Sequence, residues 1–133
     1  MSKRTVRDWE SQADVMPAVE KWASDWSYRG VGEDSDGTRE FLRPWRYQTE
    51  WTAALHMGKR WSMGWHVSIR QTGTQVHLEA WITYGLAYRI MTLGLMPREM
   101  GVQGGGFRDR GGRSLARSPL NLLVAKLGQP PIR

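Results

Sequence analysis

Two stretches of the chain alternate between apolar and polar positions. Met63, Trp65, Val67 and Ile69 share one parity, and further on Val76, Leu78, Ala80 and Ile82 share another. A period of two marks a half-buried strand, because successive side chains point to opposite faces of a sheet. Between the two stretches, Gln71-Thr72-Gly73-Thr74 supplies a turn with its glycine. A two-residue loop at Thr72-Gly73 pairs Ile69 with Val76, Val67 with Leu78, Trp65 with Ala80 and Met63 with Ile82, so every apolar residue falls on one face. The other face carries His66, Ser68, Arg70, Gln75, His77, Glu79 and Trp81. In this register His66 stands opposite Glu79, Ser68 opposite His77, and Trp81 opposite Gly64, exposed on the polar side.

A period of 3.6 appears twice. Val19, Trp22, Ala23 and Trp26 form one apolar stripe, predicting a helix over Pro17–Tyr28 with Pro17 in its first turn and Gly30 and Gly32 ending it. Leu120, Leu123, Val124 and Leu127 form the second stripe, with Ser118 as cap, Pro119 in first position, Gly128 at the end and Pro130-Pro131 beyond. A start near Ser114 would add Leu115 and Ala116 to that stripe. Glu40–Gln48 reads as a strand, placed at a sheet edge because Pro44 cannot donate to a ladder. The segment from Gly32 to Gly37 reads as an acidic turn. Tyr84–Leu95 reads as a further strand, 96–113 as a loop region, and 49–60 has no clear pattern. The expected architecture is α+β: a two-layer sandwich, with an antiparallel sheet of three to five strands and the N- and C-terminal helices packed on one face. Residues 1–14 form a loosely ordered lead-in, and 15–133 a single domain.

Composition narrows the chemistry. The 133 residues carry 19 Lys and Arg against 13 Asp and Glu, a net charge of +6. Residues 1–50 hold eight basic and ten acidic side chains, a balance of −2, and residues 51–133 hold eleven and three, a balance of +8. A positive field confined to part of a molecule concentrates anionic partners there. With no cysteine, a disulfide scaffold, a zinc ribbon and a thiol nucleophile are excluded. Ala80–Pro97 is the most apolar run, but Arg89 at its centre and Thr83, Gly85, Thr92 and Gly94 argue against a transmembrane segment. The N-terminus begins basic with no apolar stretch behind it, so a cytoplasmic location is expected.

The chain is rich in tryptophan, with eight. Trp22, Trp26 and Trp65 lie on core faces, whereas Trp51 and Trp61, beside Lys59 and Arg60, lie where no pattern assigns them. The run from Gly101 to Arg113 matches no nucleotide-binding glycine fingerprint, but in composition it resembles a short RGG-type segment. Such segments hold single-stranded nucleic acid through arginine charge and aromatic stacking. The candidate polyanion-binding residues are therefore Phe107, Arg108, Arg110, Arg113 and Arg117, with Trp81. A polar-face site of His66, Ser68, His77 and Glu79 is the other candidate, since an imidazole beside a carboxylate or a hydroxyl is the raw material of acid–base chemistry. His56, His66 and His77 match no ligand spacing, so no metal or other cofactor is expected. The sequence thus favours a non-enzymatic basic module contacting a polyanion, with single-stranded nucleic acid the first choice and an acidic protein the second. One alternative is a protein-interaction or self-association domain, a homodimer through Tyr84–Met96. Another is a small-ligand carrier or enzyme using His66, Glu79 and His77, which needs a concave pocket around them.

Overall fold

A computed structural model of the chain describes residues 4–44, 64–84, 89–90, 92–93, 97–103 and 110–133. Within these the chain runs β1 (Thr5–Glu10), α1 (Met16–Asp25), β2 (Arg29–Glu33), β3 (Arg39–Pro44), β4 (Gly64–Thr72), β5 (Gln75–Thr83), β6 (Glu99–Gly101) and α2 (Arg110–Lys126). The class is α+β, with an antiparallel sheet of six strands in the order β1-β5-β4-β3-β2 and one helix towards each end of the chain. Short β6 pairs with β5 beyond the end of β1, raising the strand number above the three to five read from the sequence.

The hairpin forms, with its turn one residue later than expected. Thr72 pairs with Gln75, so the loop is Gly73-Thr74, and the pairs are Ile69 with Leu78, Val67 with Ala80 and Trp65 with Ile82. Gly73 has φ +61, whereas Thr74 stays at negative φ. A loop at Thr72-Gly73 would have placed Thr72 first, where favoured hairpin turns require positive φ, and a β-branched residue is strained there. Moving the turn by one residue puts glycine in that position. The move changes every partner but not the parity, so Trp65, Val67, Ile69, Val76, Leu78, Ala80 and Ile82 are all buried on one side.

That side meets both helices in one core, where Val19, Trp22 and Ala23 of α1 join Ala116, Leu120, Leu123 and Val124 of α2. The Trp22 indole N–H donates to the carbonyl of Pro119 at 2.7 Å, tying the helices together in a buried setting. α1 ends earlier than Gly30 suggested. Ser27 takes φ +61, and Tyr28 N–H reaches back to Ala23 O at 2.8 Å, closing the last turn five residues back. α2 begins at Arg110, so Ser118 is not its cap and Pro119 lies inside the helix. Its other end follows the sequence: Gly128 has φ +75, and Gln129 N–H bonds Val124 O at 2.8 Å.

Three further expectations are corrected. Residues 5–10 of the expected lead-in form β1, with Thr5, Arg7 and Trp9 facing the helix side beside Ala80, Leu78 and Val76. β3 is not an edge strand, because Arg29–Glu33 forms β2 against its free side. Pro44 is tolerated because it is the last residue of β3. In the expected strand 84–95, Arg89 and Ile90 are helical and Thr92 and Leu93 lie in a turn, while the added strand is β6, from the expected loop. Residues 45–63, with Trp51 and Trp61, lie outside the described residues.

Candidate functional site

The sheet face away from the helices carries a connected polar cluster. Antiparallel register places Glu40 on β3, His66 and Ser68 on β4, Glu79, Trp81 and Thr83 on β5 and Glu99 on β6 on this side. His66 stands directly opposite Trp81, not Glu79 as the earlier turn implied. The two rings stack at 8° with centroids 5.0 Å apart. The Arg4 guanidinium lies 3.7 Å from the Trp81 ring centroid. Since β1 and β4 flank β5 on opposite sides, Arg4 and His66 approach Trp81 from opposite sides. Trp81 is therefore 4% exposed and correctly placed by face but not by exposure.

His66 uses both ring nitrogens. Nδ1 lies 2.8 Å from Glu40 Oε1, and Nε2 lies 2.9 Å from Thr83 Oγ1. These are the diagonal neighbours of His66 on the two adjacent strands, within reach of a side chain of this length. Burial holds the imidazole below its ordinary pKa, outweighing the opposite pull of Glu40. The ring is neutral at pH 7, and a carboxylate only accepts, so Nδ1 carries the hydrogen and Nε2 accepts the Thr83 hydroxyl. Arg4 holds Glu99 with two parallel bonds of 3.0 Å, and this pairing lowers the Glu99 pKa. Glu79 has Arg4 Nη1 at 3.6 Å and His77 Nε2 at 3.8 Å, while His77 Nδ1 meets Asp8 Oδ1 at 2.5 Å.

Of the polar-face residues read from the sequence, His66, Ser68, His77 and Glu79 do share this face. Ser68 is buried, however, and His77 pairs with Asp8 and Glu79 rather than with Ser68. Glu40, Thr83, Arg4 and Glu99 were missed. Glu40 and Arg4 come from strands distant in sequence, and only the alternation around Phe41 placed Glu40 on a particular face. A groove of about 670 Å³, lined by Gln12, Asp14, Met16, Glu33, Gly37, Arg39, Gln71 and Gly73, opens at the turn end of the hairpin. Its Gln71 is engaged with the backbone of Ser11, Ala13 and Val15. Among the described residues no group of three or more His, Asp or Glu is arranged to hold a metal ion, and no helix is long and apolar enough to cross a membrane.

The arginine candidates lie elsewhere. Arg113 is buried and donates to Gln103 O at 3.2 Å, and Arg117 donates to Val102 O at 3.0 Å. Both therefore hold the chain leaving β6, on the helix side of the sheet, whereas Trp81 faces the other way. Arg110 opens α2, and Phe107 and Arg108 lie outside the described residues. The sheet face itself carries Arg4, Arg29 and Arg70 against Asp8, Glu10, Glu40, Glu79 and Glu99, so its balance is acidic. No family model matches the chain, and no curated protein or solved structure is found to resemble it.

Proposed function

We propose that the protein is a binding module that contacts a polyanion, single-stranded nucleic acid, through the cationic side of α2 rather than through the sheet face. The observation that carries this reading is the charge pattern of the helix. From residue 110 to 133 there are five basic residues and no acidic one; Arg113 is buried as the donor to Gln103 O, whereas Arg117 stays partly exposed. Arg117 bonds a backbone carbonyl, which orders the guanidinium without cancelling its charge. The start of a helix adds partial positive charge to the same end. Carboxylates on the opposite sheet face repel phosphate, so among the described residues the α2 side is the one that favours it.

The test is a fluorescence titration with a single-stranded oligonucleotide at two salt concentrations. Binding should weaken as salt rises, and Arg117→Gln, which keeps a donor for Val102 O, should reduce the salt slope by about 1 without changing sequence preference. Binding absent at low salt, or indifferent to salt, overturns the proposal.

A second reading, self-association through the region Tyr84–Met96, is favoured by the exposure of Ile90 (64%) and Leu93 (91%). Light scattering across a concentration series tests it, and a strict monomer counts against it.

A further inference from the structure

We propose that Glu40, His66 and Thr83 form an acyl-transfer site, with Thr83 as nucleophile and small carboxylic esters as substrates. The site is independent of the polyanion contact and lies on the opposite face of the sheet. Glu40 accepts from Nδ1–H at 2.8 Å, which fixes the tautomer and leaves the Nε2 lone pair aimed at Thr83 Oγ1, 2.9 Å away. The threonine proton therefore already points at a base whose orientation a carboxylate holds, the arrangement that activates a hydroxyl nucleophile. The imidazole cannot swing away, because Trp81 stacks on it and Arg4 closes the far side of the indole. The three groups stand on adjacent strands β3, β4 and β5, a rigid footing for a geometry that must be kept to fractions of an ångström. Thr83 is half-buried rather than sealed in the core.

The chemistry balances without any further redox partner. Thr83 Oγ attacks the ester carbonyl carbon and forms a C–O bond as its proton passes to His66 Nε2. The tetrahedral adduct collapses, the ester C–O bond breaks, and Nε2 returns the proton to the departing alkoxide. Water then attacks the acyl-threonine by the same route, releasing the carboxylic acid and the free hydroxyl. Here Thr83 is the catalytic nucleophile, His66 the general base and acid, and Glu40 a positioning residue.

The test is incubation of the full chain with p-nitrophenyl acetate, followed by intact-mass and peptide mass spectrometry. One acetyl group should appear on Thr83 at least about 100-fold faster than on other serine or threonine hydroxyls, the lower end of what a positioned base supplies. Thr83→Ser should retain the labelling, Thr83→Val should abolish it, and Glu40→Gln should slow it while leaving the far-ultraviolet circular dichroism unchanged. A wild-type protein that neither acquires acetyl on Thr83 nor releases p-nitrophenolate faster than the Thr83→Val variant, or that acquires acetyl only on His66 or lysine, overturns the proposal. Labelling of Thr83 that persists undiminished in Glu40→Gln overturns the assigned role of Glu40.

Discussion

The hairpin register decides which residues face His66, and a single substitution tests it by sign. In the structure Thr72 is a strand residue paired with Gln75, and the loop is Gly73-Thr74. Thr72→Gly then removes a β-branched side chain from a strand and adds chain entropy to the unfolded state, at a combined cost of about 1 kcal/mol. Were the loop Thr72-Gly73 instead, Thr72 would occupy the first loop position at positive φ. Glycine there would relieve strain of about 1–2 kcal/mol and stabilise the protein. The two registers therefore predict opposite signs. Gly73→Ala calibrates the measurement, because Gly73 holds φ +61 in the structure. A Cβ built at Gly73 meets nothing within 4 Å, so its cost of about 1–2 kcal/mol is conformational alone. Urea unfolding followed by tryptophan fluorescence reads both. With a slope of about 2 kcal/mol per molar, Thr72→Gly should lower the midpoint by about 0.5 M and Gly73→Ala by somewhat more. A midpoint that rises in Thr72→Gly refutes the register, and with it the stacking of His66 on Trp81.

Three further outcomes follow from buried contacts. Trp22→Phe removes the bond to Pro119 O and part of a fully buried ring, and should cost about 2 kcal/mol in urea unfolding, while Trp26→Phe, only partly buried, should cost less than half as much. Thr5 Oγ1 accepts from the backbone N–H groups of Val102 and Gln103 at 3.0 Å each, so Thr5→Val should cost about 1–3 kcal/mol by leaving two donors unpaired. Hydrogen exchange at residues 102 and 103 should speed up accordingly. His66, facing Glu40, Arg4 and Glu99, titrates below its ordinary value of 6.5 in the folded state, so the unfolded chain takes up the proton first as pH falls. Its contribution to stability is complete above about pH 6.5 and declines below it until the folded-state value is passed. Midpoints at about pH 7.5 and about pH 5 should differ more in the wild type than in His66→Gln, and equal differences would show that His66 is not the group responsible.

What the sequence determined was which side of β4, β5, α1 and α2 faces inward. The period-two pattern of β4 and β5 and the 3.6 pattern of α1 and α2 survive in the structure. Parity is insensitive to where a turn falls, provided the shift moves both strands together. Local chain chemistry also placed Pro17 in the first turn of α1 and Gly128 at the end of α2, since both depend on φ alone. Partnership was a different matter. His66 meets Glu40 rather than Glu79 because β3 is laid against β4 by contacts that no local pattern encodes, and because Thr72 could not take the turn position assigned to it. β1 was hidden because its inward positions are Thr5, Arg7 and Trp9, and the buried Thr5 hydroxyl finds its partners only in the backbone of residues 102 and 103. Pro119 looked like a helix start, and only the docking of α2 against Trp22 and the core carried the helix through it. Solvation orders each element by itself, whereas long-range pairing alone chose the neighbours of the imidazole.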